Sequence, residues 1–134
     1  MTEVMVAGRA AGQVLTLTEP LSFWGGVDAT GEIVDVHHPQ AGANVAGRVL
    51  VMTTGRGSSS SSSVLAELIR SDVGPAAILL GERDPIIALG ALAAQTLYGR
   101  TVPVVVLDPG AYAQATAAQD ARILPSGEIE LGGA

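Results

Sequence analysis

The apolar positions of this chain fall into two regimes. Four short segments repeat the order glycine, polar residue, aliphatic residue: Gly12-Gln13-Val14-Leu15, Gly31-Glu32-Ile33-Val34, Gly47-Arg48-Val49-Leu50 and Gly127-Glu128-Ile129-Glu130. Each reads as a strand leaving a turn. Asp28-Ala29-Thr30-Gly31 and Pro125-Ser126-Gly127 supply the turn chemistry, and the alternation of Ile129 and Leu131 predicts a strand with one buried face. The middle of the chain differs. Val49 to Met52, Ala77 to Leu80 and Val104 to Leu107 are uninterrupted apolar runs, the mark of strands covered on both faces. Two helical patterns alternate with them. The first spans Ser63 to Arg70, with Val64, Leu65, Leu68 and Ile69 as its apolar stripe. The second opens at Asp84 as N-cap with Pro85 in the first helical position and ends near Gly99. Right-handed crossovers then set the three apolar strands in one mostly parallel sheet. The predicted fold is α/β: a β-barrel-like portion packed with a small parallel βαβαβ layer, in one domain spanning residues 1–134.

Between the first buried strand and the first helix stands Gly55-Arg56-Gly57 followed by six serines, Ser58 to Ser63. A serine-rich linker is flanked by polar, aperiodic sequence, whereas this run is clamped between an apolar strand and an amphipathic helix. It reads instead as a loop that opens a helix. Gly55 and Gly57 permit a tight turn and close approach of a ligand, and the free N–H groups of a helix start favour an anion. One or two serines suffice as a cap, and six exceed that need. A phosphate-binding loop of Walker type needs lysine after its last glycine, where Ser58 stands; a dinucleotide fingerprint needs a third glycine, where Ser60 stands. A serine hydroxyl at a helix N-terminus has a further use, because the positive end of the helix dipole lowers the cost of alkoxide character and lets the oxygen act as a base. No His/Asp pair at triad spacing accompanies it.

Composition narrows the function classes. The longest apolar stretch, around Ile86 to Ala94, falls short of a membrane span, and the N-terminus has no basic segment leading into an apolar core. Cytoplasmic residence is the expectation. There is no cysteine, so this chain cannot ligate an iron–sulfur cluster or present a thiol nucleophile. A net charge of -6, with seven arginines, no lysine and a single tryptophan, argues against nucleic acid. A mean hydropathy of +0.41 is high for a small protein with only 15% charged residues, and it implies a surface buried against a partner.

The serine loop after an apolar strand, preceded by Leu21-Ser22-Phe23-Trp24-Gly25-Gly26-Val27-Asp28 and the segment that runs on to Leu50, resembles the swivel-domain small subunit of the aconitase X family over almost the whole chain. The resemblance implies the swivelling β/β/α fold of the last aconitase domain. It also implies a large aconitase X-type catalytic subunit holding an iron or iron–sulfur centre, with no cofactor bound by this chain, and hydro-lyase activity on a small-molecule substrate. Activities in the family include dehydration of cis-3-hydroxy-L-proline and of mevalonate 5-phosphate. The Gly-Ser-Ser-Arg motif of aconitases falls on Gly57, Ser58, Ser59 and Ser60, which makes Ser58 the implied catalytic base. Ser60 stands where aconitases carry a carboxylate-binding arginine. A tricarboxylic acid therefore fits poorly, and any cation must come from Arg56 or the partner. Ser59 is the implied substrate-binding neighbour, and Ser62 and Ser63, one turn on, are carried away from the pocket.

A second patch follows the same logic. Gly25 and Gly26 let backbone approach a substrate, and Asp28 is a candidate to bind an amine, although opening the Asp-Ala-Thr-Gly turn is its plainer role. Asp35, His37 and His38 invite a metal, yet in an extended segment they point to opposite faces, so His37 or His38 is expected instead to be a hydrogen-bonding residue at the subunit interface. Phe23 and Trp24 are natural interface anchors. The leading expectation is a small subunit of a heteromeric dehydratase, inactive alone and acting on cis-3-hydroxy-L-proline. The reliance on Arg over Lys with abundant Ala and Gly suggests a GC-rich bacterial genome and favours that substrate. The alternatives are mevalonate 5-phosphate dehydratase and a non-catalytic anion-binding scaffold.

Overall fold

A computed structural model describes residues 2–57 and 59–133. In chain order the elements are β1 (Glu3–Val6), β2 (Ala10–Thr16), α1 (Phe23–Gly26), β3 (Val49–Met52), α2 (Ser60–Arg70), β4 (Ala77–Leu80), α3 (Pro85–Tyr98), β5 (Val104–Val106), α4 (Pro109–Ala117), β6 (Asp120–Ile123) and β7 (Ile129–Gly132). The strands form one mixed sheet in the order β1-β5-β4-β3-β2-β6-β7. Its centre is parallel: Val14 pairs with Val49, Leu50 with Ile78, and Ile78 with Val104. Antiparallel strands close both flanks, β1 against β5 and β6–β7 against β2.

The buried strands separate two cores by simple alternation, since successive side chains point to opposite faces. Leu50, Met52, Ile78, Leu80 and Val104 face α2 and α3, whereas Val49, Val51, Leu79 and Val105 face α4. The three expected parallel strands and the Asp84-capped helix stand where the pattern put them, with Gly99 closing α3 in the left-handed conformation at φ 67°. The expected β-barrel-like portion and the parallel layer belong to one sheet, with β2, β6 and β7 as its antiparallel flank.

Other expectations need correction. Helix α2 begins inside the serine run, as a loop opening a helix requires, but at Ser60, three residues before the Ser63 at which the apolar pattern opens. Gly31-Glu32-Ile33-Val34 makes no strand but only the isolated bridges Val27 to Ile33 and Glu32 to Asn44. Ile33 donates to the Ala43 carbonyl while Val34 donates to that of Gly26, so the segment switches partners before a ladder can grow. This segment belongs to a long excursion between β2 and β3. It lays Leu17, Leu21, Phe23, Ile33 and Val45 onto the α2/α3 core, and so brings α1 beside the start of α2.

Candidate active-site loop

The loop leaves the sheet at the C-terminal end of β3, the edge where open parallel sheets bind ligands. Residues 53–57 are fixed from three directions. Thr53 accepts at its carbonyl from the N–H groups of Gly81 and Glu82, at 3.0 and 2.9 Å. Arg56 donates its N–H to the Leu21 carbonyl at 3.0 Å, beside a parallel bridge between Leu21 and Gly55. Asp84 Oδ2 accepts from the Gly55 N–H at 2.8 Å and from the Thr54 hydroxyl at 3.0 Å. Gly57 then turns the chain with φ +109°. A Cβ there would sit 2.9 Å from Ser22 Oγ and 3.0 Å from Ser61 Oγ, so glycine is required by both backbone and space.

Ser58, the base that the family resemblance implies, lies outside the described residues. Its neighbours define the surroundings. Ser59 is the N-cap of α2 but makes no side-chain cap, and with Ser60 and Ser63 it is exposed. Ser61 and Ser62 turn inward and are buried. The Ser61 hydroxyl donates to the Arg56 carbonyl at 3.4 Å, and the Ser62 hydroxyl to the Ile86 carbonyl at 2.7 Å. From Ser59 on, the run is thus a helix start whose inner face, Ser61 and Ser62, bonds the loop and α3 while Ser59, Ser60 and Ser63 are exposed.

The second patch reaches the same place. Ser22 Oγ donates to the Trp24 carbonyl at 2.8 Å and lies 3.5 Å from Ser61 Oγ. The α1 turn is kinked, with Gly25 at φ +80° and nothing within 4 Å of a Cβ placed there, and Gly26 is buried. Trp24 is 64% exposed, as an interface anchor must be. Phe23 is not: it is fully buried in the core, because the kink sends consecutive side chains in opposite directions. Arg56 is exposed, and among the described residues its guanidinium has no ion-pair or hydrogen-bond partner. Asp28 is occupied in its own turn, where Oδ1 accepts from the Thr30 hydroxyl at 2.6 Å, the Thr30 N–H at 2.8 Å and the Glu32 N–H at 3.1 Å. Those bonds, the Thr30 hydroxyl foremost, hold its carboxyl below the usual carboxylate range.

Asp35 to His38 form a turn rather than an extended segment, because Asp35 accepts from the His37 N–H through its side chain and from the His38 N–H through its carbonyl. His38 is buried within the chain, not at an interface: Nδ1 accepts from the Gln40 N–H and Nε2 donates to the Glu19 carbonyl, both at 3.0 Å. His37 is exposed. Among the described residues no group of three or more His, Asp or Glu side chains is placed to hold a metal ion, and no helix is long and apolar enough to cross a membrane.

Two residues of the site escape a reading of the sequence. Ser22 carries no local signal. Asp84 is legible as a cap, but its second oxygen binds a loop 29 residues away, which only the fold reveals.

Comparison with known proteins follows the geometry. Residues 1–131 match the family described as the aconitase X swivel domain. The chain is 47% identical over 128 residues to the cis-3-hydroxy-L-proline dehydratase of Pseudomonas aeruginosa, covering 95% of this chain and 22% of that protein. It is 36% identical to the phosphomevalonate dehydratase small subunit of Thermococcus kodakarensis, covering 95% of this chain and 91% of that one. Its fold is similar to a crystal structure of Thermococcus kodakaraensis aconitase X in the holo-form, with a TM-score of 0.83, 31% identity, and 98% and 95% of the two chains covered. The chain spans about a fifth of the length of the first two curated relatives, both cis-3-hydroxy-L-proline dehydratases.

Proposed function

The chain belongs to the aconitase X swivel-domain family, and from that premise we propose that it is the small, serine-bearing part of a cytoplasmic dehydratase whose active site is completed by a larger aconitase X-type partner. One observation carries this reading. The two patches, 33 residues apart from Ser22 to Gly55, converge at the C-terminal edge of the parallel strands. There Leu21 and Ser22 brace the Gly55–Gly57 turn and the first turn of α2.

Dehydration of a 3-hydroxyproline breaks the C–H bond beside the carboxylate and the C–O bond on the neighbouring carbon, and the electron pair of the first becomes the new double bond as hydroxide leaves to become water. The first step needs a base and a counter-charge for the carboxylate. Ser58 supplies the base in this reading, flanked by the Gly57 turn and the start of α2, whose N–H groups favour the developing negative charge. Exposed Ser59, through its hydroxyl and N–H, and the exposed guanidinium of Arg56 bind the carboxylate. Gly25 and Gly26 give a wall without side chains. Asp28, engaged by its own turn, orients that wall and does not contact substrate. An iron or iron–sulfur centre does not fit the donors present here, with no cysteine in the chain. It belongs to the larger partner, and no step is derived through it.

The substrate favoured is cis-3-hydroxy-L-proline, supported by the 47% identity to a dehydratase of that name. A second reading, mevalonate 5-phosphate, is supported by the 36% identity over 128 residues to a phosphomevalonate dehydratase small subunit. Co-expression with the aconitase X-type partner and assay of both compounds tests the proposal. Dehydration by the complex and none by this chain alone is the expected result, and turnover by the isolated chain contradicts it.

A further inference from the structure

The first turn of α3 holds the serine loop at both ends. Asp84 is 8% exposed and uses both carboxylate oxygens. Oδ1 caps α3, accepting from the N–H groups of Ile86 and Ile87 at 3.0 and 3.2 Å. Oδ2 takes the Gly55 N–H and the Thr54 hydroxyl on the near side of the loop. On the far side, the Ile86 carbonyl accepts the Ser62 hydroxyl at 2.7 Å. The described ends of this segment, at Gly55 and Ser62, are therefore anchored to two residues of the same turn, Asp84 and Ile86. Packing closes the remaining freedom: a Cβ on Gly55 would meet Asp84 Oδ2 at 3.0 Å and Ile87 at 3.1 Å, and one on Gly90 would meet the Ser62 carbonyl at 2.9 Å.

We infer that Asp84 is a positioning residue for the serine loop, acting through the Gly55 N–H and the Thr54 hydroxyl and not through substrate. The inference rests on the reading of the loop as catalytic, and it assigns to the α3 cap a second task that a helix cap alone does not need. Asp108 provides the comparison within the same chain. It too precedes a proline and caps a helix, accepting from the Ala111 N–H at 2.8 Å, but α4 lies on the opposite face of the sheet.

The test uses Asp84→Asn. Asparagine is as good a cap as aspartate, so α3 keeps its acceptor. Its amide group, however, confronts the Gly55 N–H with another donor. Thr54→Val removes the other loop contact without touching the cap, and Asp108→Asn controls for loss of a carboxylate at a cap. Two readouts are needed: amide hydrogen exchange at Gly55 in the full chain, and kcat and KM of the complex with its larger partner. Asp84→Asn should speed Gly55 exchange and lower kcat by at least about 10-fold with KM within about 3-fold, the pattern of a displaced group that acts in the transition state. Thr54→Val should shift both readouts less in the same direction, and the double variant should fall no further than Asp84→Asn, because the two residues share one interaction. Asp108→Asn should leave both readouts unchanged. Unaltered exchange at Gly55, or faster exchange with kcat within about 2-fold of the parent, overturns the inference. Should Asp84→Asn not fold, Thr54→Val decides by the same criteria. If the unaltered complex dehydrates neither candidate substrate, the functional reading has failed, while Gly55 exchange still decides whether Asp84 holds the loop.

Discussion

Gly57 and Gly25 both adopt positive φ, yet only Gly57 is hemmed in, with Ser22 and Ser61 oxygens about 3 Å from where a Cβ would stand. Both alanine substitutions carry the strain of a residue at positive φ, about 1–3 kcal/mol in a denaturant melt, and crowding should make Gly57→Ala the costlier of the two. Equal costs would show that crowding at Gly57 is unimportant. Asp28 gives a pH-dependent expectation. Its carboxyl is held low by the Thr30 and Glu32 bonds, so its contribution to stability is present above the unfolded value of about 4 and is lost as pH falls through the lowered folded value. The stability gap between the parent and Asp28→Ala should shrink as the pH is taken from about 6 toward about 2; a gap that widens contradicts the bonding described. At this scale the sequence was legible where one residue answers a local need, as with the Asp84 cap and the Asp28 turn. It was opaque where a side chain reaches across the fold. Phe23 and Trp24 look alike on paper, and only the kink at Trp24-Gly25 decides that one is buried and the other exposed.

Serine is an indifferent helix former, so the apolar stripe places the start of α2 at Ser63. Tertiary packing overrides that preference. Ser61 and Ser62 bond the loop and α3, and Gly90 lets the two helices approach closely enough for this. Ser62→Ala should therefore not be silent: loss of its bond to the Ile86 carbonyl should lower stability by about 1 kcal/mol, whereas exposed Ser63→Ala should change it little. Equal, negligible effects would mean that the Ser62 bond contributes nothing. The unread element α4 carries the same Asp-Pro opening as α3, at Asp108-Pro109, but it has no apolar stripe to follow, since Ala115 is its one buried residue. Strands β1 and β6 lack the order glycine, polar residue, aliphatic residue that marks β2 and β7, so nothing local announces them. The central strands were legible because all four positions of β3 and β4 are buried, which forces an unbroken apolar run.

Taken as a whole, the chain carries the proposed site at the C-terminal edge of its parallel strands, and part of its exposed apolar surface lies next to it. Leu89, Leu97 and Tyr98 of α3 face a groove shared with Ser59, Ser63 and Glu67 of α2. Beside the proposed site, this surface is where the reading above seats the larger partner. Leu97→Asp should weaken assembly with the larger partner at least about 10-fold, a loss of roughly 1.4 kcal/mol, without altering the melting of the chain alone; unchanged assembly would move the interface elsewhere. The central claim, that this chain contributes a serine base to a shared dehydratase site, is tested most directly by the kcat of the assembled complex carrying Ser58→Ala. The account predicts a fall of at least ~10²-fold, the usual minimum for loss of a general base, with KM little changed. A complex that assembles normally and retains kcat within about 2-fold of the parent would contradict it.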